Sequence, residues 1–237
     1  MTNQRIAPAL LVWGPLLASL IWAALVFNPA TYEWALGRFR YMREYTFVEV
    51  GTVMGFAVAT IAGAYCAFQH YRRGSSWLTL VFFSGFTLAA FLVAMEEVQW
   101  AQPLLGYDIP DFIAATNAQD EMTFHNHEGL QSREGWFYLA FCVGAFALFL
   151  PRLWPFPQDV WSQWRARKDL RAIVWIVLLI SFMKLYDLYV GNPFAPLKPI
   201  RWTTEIGEGL IAYWSAAFAS LKAIELFKDE PLAPPSM

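Results

Sequence analysis

Six long apolar runs, each bounded by polar or charged residues, divide this chain. Each run holds about 20 residues, the length that an α-helix needs to cross the hydrocarbon core of a bilayer. The pattern therefore predicts an all-α, polytopic membrane protein with six transmembrane helices and an ordered outer loop between the third and fourth. Residues 1–237 are interpreted as a single six-span transmembrane domain. The predicted spans are about 6–28, 46–69, 77–100, 135–153, 171–190 and 204–227.

Composition agrees with the membrane class. Hydrophobic residues make up 57% of the chain and charged residues only 15%, whereas soluble domains carry about 25% charged residues. The net charge of −2 gives no reason to expect a nucleic-acid partner. Cys66 and Cys142 both fall in apolar runs, which is typical of buried hydrophobic side chains rather than of a disulfide framework or a thiolate metal motif.

The basic residues indicate an orientation. Most of the 17 Lys and Arg residues fall on the side of the N-terminus, which predicts the cell inner membrane with both termini in the cytoplasm. On that side, the aromatic and basic segment between the fourth and fifth spans is predicted to lie along the lipid surface, with Trp161 and Trp164 as anchors. His70, followed by a tyrosine and two arginines, is predicted to face the lipid headgroups.

Small residues recur at four-residue spacing along the second span. Gly51, Gly55, Ala59 and Gly63 would form a smooth stripe on that helix. Such stripes let two transmembrane helices approach closely. We therefore expect this stripe to pack against a neighbouring helix.

The densest set of carboxylates and imidazoles lies at and after the end of the third span. Glu96 and Glu97 close that span, and the alternation of spans places Glu205 and Glu208 at the same outer end of the bundle. Ionisable groups at the edge of hydrocarbon are costly, so they are usually buried in protein, paired or metal-bound. The pattern predicts an acidic cavity open to the outside. The loop adds Glu121, His125, Asn126, His127 and Glu128 to this end.

The residue types favour a metal site. Glu121 and His125 are four residues apart, so on a helix they would share one face and reach a common cation. Zinc takes three protein ligands and keeps one position for water in hydrolytic sites. The prediction is a membrane-embedded, zinc- or iron-dependent hydrolase acting on a lipid or lipid-linked substrate. Its predicted metal ligands are Glu96, Glu121, His125, His127 and Glu208, with Glu97 as acid/base and Asn126 and Gln102 orienting the ligands.

Other functions are compatible with the same residues. Lys184, Arg133 and further basic residues on that side would neutralise a purely structural cluster, in a non-catalytic or assembly subunit that binds other membrane proteins. A carboxylate-bridged di-metal oxidase is a further alternative, since such sites combine glutamates and histidines from several helices. An ion-coupled carrier is disfavoured because the sequence contains no inverted repeat.

Two short motifs carry a resemblance to a family. Glu96-Glu97-x-x-Trp100-x-Gln102 is followed by Asn117-x-Gln119-x-Glu121-x-x-x-His125-Asn126. The pair is similar to EEISWGQ followed by NxQxExxxHN, a signature of uncharacterised bacterial multi-spanning membrane proteins. This resemblance spans about residues 40–210 and implies a shared polar site, without implying a reaction. Gln99 and Ala101 depart from the serine and glycine of that signature. The resemblance therefore extends to the polar residues and not to close packing around Trp100.

Overall fold

The computed structural model describes residues 13–22, 24–25, 28, 30–31, 47–117, 122–124, 127, 130, 133–153, 155–191 and 203–229. Within these residues the regular structure is helical, apart from one isolated antiparallel bridge. The all-α class is therefore confirmed. The helices are α1 (Trp13–Trp22), α2 (Phe47–Arg72), α3 (Trp77–Glu97), α4 (Gln102–Leu105), α5 (Asp111–Ala114), α6 (Glu134–Ala147), α7 (Gln158–Trp164), α8 (Arg171–Val190) and α9 (Thr203–Lys228), with 3₁₀ turns at Gln99–Ala101 and Lys168–Leu170.

Four of the described helices are long and apolar enough to cross a membrane. They are α2, α3, α8 and α9, which match the second, third, fifth and sixth predicted spans. Their outward side chains are apolar as well: Ile61 is 72% exposed and Leu88 is 57% exposed. A helix that is apolar all round fits lipid rather than water. These observations are consistent with a membrane protein, while the number of six spans stays a prediction.

The other two predicted spans contain shorter helices. In the first span the described residues are 13–22, which form α1, and 24–25 and 28, and the rest of that span lies outside the described residues. In the fourth span α6 has 14 residues, about 21 Å at 1.5 Å per residue. The prediction of one helix over 135–153 is wrong, because the chain turns at Leu148 ahead of Pro151. Proline has no N–H to donate and disfavours helical geometry in the residue before it.

Helices α2 and α9 run parallel and touch along their length. At one end Gly209 lies against Val48, and at the other end the Cys66 thiol donates to the carbonyl of Ala219, with an S···O distance of 3.7 Å. Residue numbers thus rise together along both helices. The first turns of α2 and α9 lie at the same end of the bundle, as the alternation of spans predicted.

The small-residue stripe lies largely within this packing. Gly55 faces Ala212 of α9, Ala59 is fully buried, and Gly63 faces Thr87 of α3. The prediction of close packing is confirmed at these three positions. It is not confirmed at Gly51, which is exposed and has, among the described residues, no atom of another element within 4 Å of an added Cβ.

Helices α6 and α8 form an antiparallel pair beside α9. The Ser181 hydroxyl donates to the carbonyl of Gly135 at 2.7 Å, and the Cys142 thiol donates to the carbonyl of Val174, with an S···O distance of 3.6 Å. The start of α6 therefore lies beside the end of α8. Gly207 of α9 lies against the ring of Tyr138, so the start of α9 lies there too. We call this end of the bundle the Tyr138 end.

The opposite end is closed by an aromatic core. Trp161 and Trp164 are only 1% and 6% exposed, and Trp164 stacks on Phe82 with ring centroids 4.7 Å apart. The prediction that these tryptophans anchor a helix on the lipid surface is wrong. Helix α7 instead turns its indole rings into the bundle, where their large apolar area is fully buried.

Candidate functional site

Tyr138 is the centre of a polar cluster at its end of the bundle. The residue is 4% exposed, and its hydroxyl donates to Oε1 of Glu208 at 3.1 Å. Glu134, one turn earlier on α6, and Glu97, at the end of α3, lie close enough for electrostatic interaction with the same hydroxyl. Three helices therefore place a carboxylate within electrostatic range of one buried phenol, and Glu208 is the one that contacts it directly. Gly207 allows this approach, because a Cβ there would lie 2.8 Å from Cε2 of Tyr138.

Glu96 has a different role from its neighbour Glu97. Its Oε1 accepts from the indole Nε1 of Trp100 at 2.6 Å, and its Oε2 accepts from the backbone N–H of Phe124 at 2.7 Å. The ring of Phe124 also packs edge-on against Trp100, with centroids 6.4 Å apart. Both oxygens of this carboxylate thus tie the segment after α3 back to the helix end.

The chain makes a left-handed turn directly after α3. Gln99, Trp100 and Ala101 all have positive φ, at 50°, 54° and 62°. Non-glycine residues pay about 1–2 kcal/mol each for this geometry. The turn is held by the Tyr107 hydroxyl, which donates to the carbonyl of Trp100 at 3.0 Å. It directs the Trp100 indole back toward Glu96.

The EEISWGQ signature has glycine at the position that Ala101 occupies in this chain. The backbone geometry of Ala101 gives a physical reason for a glycine there. Ala101 has the backbone conformation that glycine adopts without penalty. We expect Ala101→Gly to raise the free energy of unfolding by about 1 kcal/mol. Thermal unfolding in detergent measures this. The matched change Ala115→Gly, at a right-handed residue with φ −65°, should lower stability instead, and stabilisation by both changes would contradict the argument.

Beyond the turn, the described part of the loop is held by its own hydrogen bonds. Gln102 Nε2 donates to the carbonyl of Tyr107 at 2.9 Å, and the buried Asn117 donates through Nδ2 to the carbonyl of Thr123 at 2.7 Å. His127 forms an antiparallel backbone bridge with Asn117, and the residue is exposed. Gln102 therefore stabilises the fold of the loop through its hydrogen bond to Tyr107.

The structure separates the predicted site residues into groups. Glu97 and Glu208 meet around Tyr138, while Glu96 and Gln102 are engaged in holding the loop. Across the described segments, no group of three His, Cys, Asp or Glu side chains is placed to hold a metal ion. The predicted residues Glu121, His125 and Asn126 lie outside the described residues.

Sequence reasoning missed Tyr138 and Glu134. Both sit at the start of an apolar run, where a tyrosine resembles an ordinary interfacial aromatic. The available signal was their four-residue spacing, which places a carboxylate and a phenol on one helix face. Only the packing of α6 against α9 shows that this face is turned toward Glu208.

Comparison of the chain with protein-family models, curated proteins and solved structures finds no match. The resemblance to the family with the EEISWGQ signature therefore stays a prediction. The geometry of the Tyr138 end is therefore the basis for proposing a function.

Proposed function

We propose that this chain is a membrane-embedded enzyme whose Tyr138 end binds a divalent metal and hydrolyses a lipid or lipid-linked substrate. The observation that supports the proposal is the hydrogen bond of the buried Tyr138 to Glu208, with Glu134 and Glu97 within electrostatic range of the same hydroxyl. Carboxylates drawn together in a low-dielectric environment repel each other. A cation or a shared proton beside them lowers that repulsion, which is why such groupings are common at functional sites.

Each residue has an assignable role under this proposal. Glu208, with Glu121 and His125 of the loop, would hold the metal. A bound divalent ion makes hydroxide from water available at neutral pH, which is the chemistry that hydrolysis needs. Glu97 would accept and return the proton, and Tyr138 would hold Glu208 in place through its hydrogen bond. Glu96 keeps the loop at the end of α3, close to the cluster.

Elemental analysis of the purified protein tests the proposal. The wild type should retain zinc or iron after dialysis against a weak chelator, and Glu121→Ala and His125→Ala should each weaken metal retention by about tenfold or more. His70→Ala serves as the matched control, because His70 lies at the opposite end of the bundle and its loss should leave the metal content unchanged. A wild type without metal, or equal loss in all three variants, would overturn the metal site.

A second function is favoured by a specific observation. Both oxygens of Glu96 and one oxygen of Glu208 already accept hydrogen bonds from the protein, and Lys184 packs beside Gly135, next to Glu134. A cluster satisfied in this way fits a structural or assembly subunit of a membrane complex. That function predicts that His125→Ala leaves partner binding intact and that the protein co-purifies with other membrane subunits.

A further inference from the structure

A polar cavity of about 150 Å³ opens at the end of the bundle opposite Tyr138. It lies between the last turns of α2 and α9 and helix α7. A water molecule occupies about 30 Å³ and drug-sized ligands need at least about 300 Å³. The cavity therefore fits a small polar group of several heavy atoms. Its lining residues are His70, Ser162, Gln163, Lys222, Glu225, Leu226 and Asp229.

The buried imidazole ring of His70 lines one side of this cavity and is held by two contacts. It is 5% exposed, so its side chain does not lie on the outer surface, and its orientation toward the headgroups stays a prediction. Its ring stacks on Phe83, with centroids 5.0 Å apart, and its Nδ1 lies 3.0 Å from the Ser75 hydroxyl. Because Nδ1 is engaged, Nε2 is the ring nitrogen that a ligand can contact.

Lys222 and Glu225 place opposite charges at the same opening. The Lys222 ammonium lies 2.9 Å from Oε2 of Glu225, and the two side chains are 13% and 52% exposed. An ammonium has three donors and a carboxylate about four acceptor positions, so this pair uses only part of their capacity. Asp229 adds a second carboxylate to the lining. Arg73 adds a second cation nearby, where it donates to the carbonyl of Leu226.

Gln163 lines the cavity from α7. Its Oε1 is buried, and it has no hydrogen-bond partner among the described residues. A buried amide oxygen without a donor costs about 1–3 kcal/mol. This oxygen lies below the accessible surface, so the polar groups open to a ligand are those of Lys222, Glu225 and Asp229. The cavity therefore offers acceptors and donors together, rather than a purely basic or purely acidic surface.

The level of the cavity along the bundle restricts the source of the ligand. Exposed aromatic residues lie at the helix ends on the same side of the bundle: Tyr71, next to His70, is 71% exposed, and Trp77, at the start of α3, is 70% exposed. Tyrosine and tryptophan concentrate at the membrane–water interface, at the depth of the lipid headgroups. A group entering the cavity from the bilayer would thus be a headgroup.

We infer that this cavity binds a phosphoethanolamine group, the zwitterion carried by phosphatidylethanolamine and by its soluble headgroup. The phosphate contacts the Lys222 ammonium and Nε2 of His70, which are donors suited to phosphate oxygens. The ligand ammonium contacts the carboxylates of Glu225 and Asp229, which accept its N–H groups. A choline headgroup has no N–H to donate, and a glycerol headgroup carries no positive charge. Both should therefore bind less tightly.

Native mass spectrometry of the full chain in detergent tests this inference. Phosphatidylethanolamine, phosphatidylcholine and phosphatidylglycerol with the same acyl chains are offered separately and in competition. We expect phosphatidylethanolamine to be retained about tenfold better than either of the others, since charge-assisted hydrogen bonds distinguish them. Displacement by soluble phosphoethanolamine would assign the site to a soluble ligand, and retention against it would assign the site to the lipid. Equal retention of the three lipids would overturn the inference in the unmodified protein.

Substitutions of the cavity residues test whether the preference for phosphatidylethanolamine arises in the cavity. Lys222→Gln and Glu225→Gln should each reduce the preference for phosphatidylethanolamine about tenfold, and Lys222→Arg should keep most of it. The matched controls are Lys228→Gln, an exposed lysine of the same helix outside the cavity, and Asp159→Asn, an exposed carboxylate of α7. A loss as large in the controls as in the cavity variants would contradict the site. The metal content is measured in parallel, and it should not change in any of these variants.

Discussion

Replacing Glu96 with alanine is expected to release the segment after α3 from the end of the helix bundle. The change removes the acceptors of the Trp100 indole and of the Phe124 backbone N–H at once. Hydrogen bonds to a charged group contribute about 1.5–3 kcal/mol each, so we expect a loss on the order of 3 kcal/mol. Hydrogen exchange at the Phe124 amide and thermal unfolding measure the effect.

Two comparisons make this result specific. Glu96→Gln keeps one carbonyl oxygen and should retain part of the protection of the Phe124 amide. Asp108→Ala removes an exposed carboxylate of the same loop and should change neither measurement. Fast exchange at Phe124 only after the Glu96 changes would support the role of this carboxylate. Unchanged exchange in Glu96→Ala would show that other contacts hold the loop.

Gly55→Ala is expected to force α2 and α9 apart. An added Cβ would lie 2.9 Å from the Cβ, 3.0 Å from the carbonyl carbon and 3.2 Å from the carbonyl oxygen of Ala212. Two of these three atoms are backbone, so no side-chain rotation relieves the overlap. Overpacking of this kind costs about 1–3 kcal/mol. The free energy of unfolding, measured by thermal or denaturant unfolding in detergent, should fall accordingly.

Gly51→Ala is the matched control, one turn earlier on the same helix. In the part of the chain that the structure describes, no atom of another element lies within 4 Å of an added Cβ at Gly51. Alanine is a better helix former than glycine by about 1 kcal/mol, so this change should raise stability or leave it unchanged. The two substitutions are chemically identical, but their effects on the free energy of unfolding are expected to have opposite signs. Equal effects would mean that the approach of Gly55 to Ala212 is not a tight contact.

Much of the helical architecture followed from the sequence alone. The starts and ends of α2, α3, α8 and α9 lie within a few residues of the predicted spans, because apolar length and polar flanks are local properties of the chain. The alternation of spans also placed Glu97 and Glu208 at one end of the bundle. Prediction failed after Ala147, where the apolar composition continues but the chain turns ahead of Pro151.

The roles of individual side chains were decided by tertiary packing. Glu96 and Glu97 are adjacent in sequence, but a helix points them about 100° apart, so one ties down the loop and the other faces Tyr138. Tyr138 became part of the cluster because Gly207 lets α9 approach its ring.

At the opposite end, His70 and Trp164 looked like surface anchors and are instead buried. The sequence by itself determined that this protein is helical, belongs in a membrane and concentrates its acidic groups at one end, because these properties depend on composition and spacing along the chain. Which polar groups are paired, strained or buried was determined only by the tertiary structure, because those properties depend on residues distant in sequence.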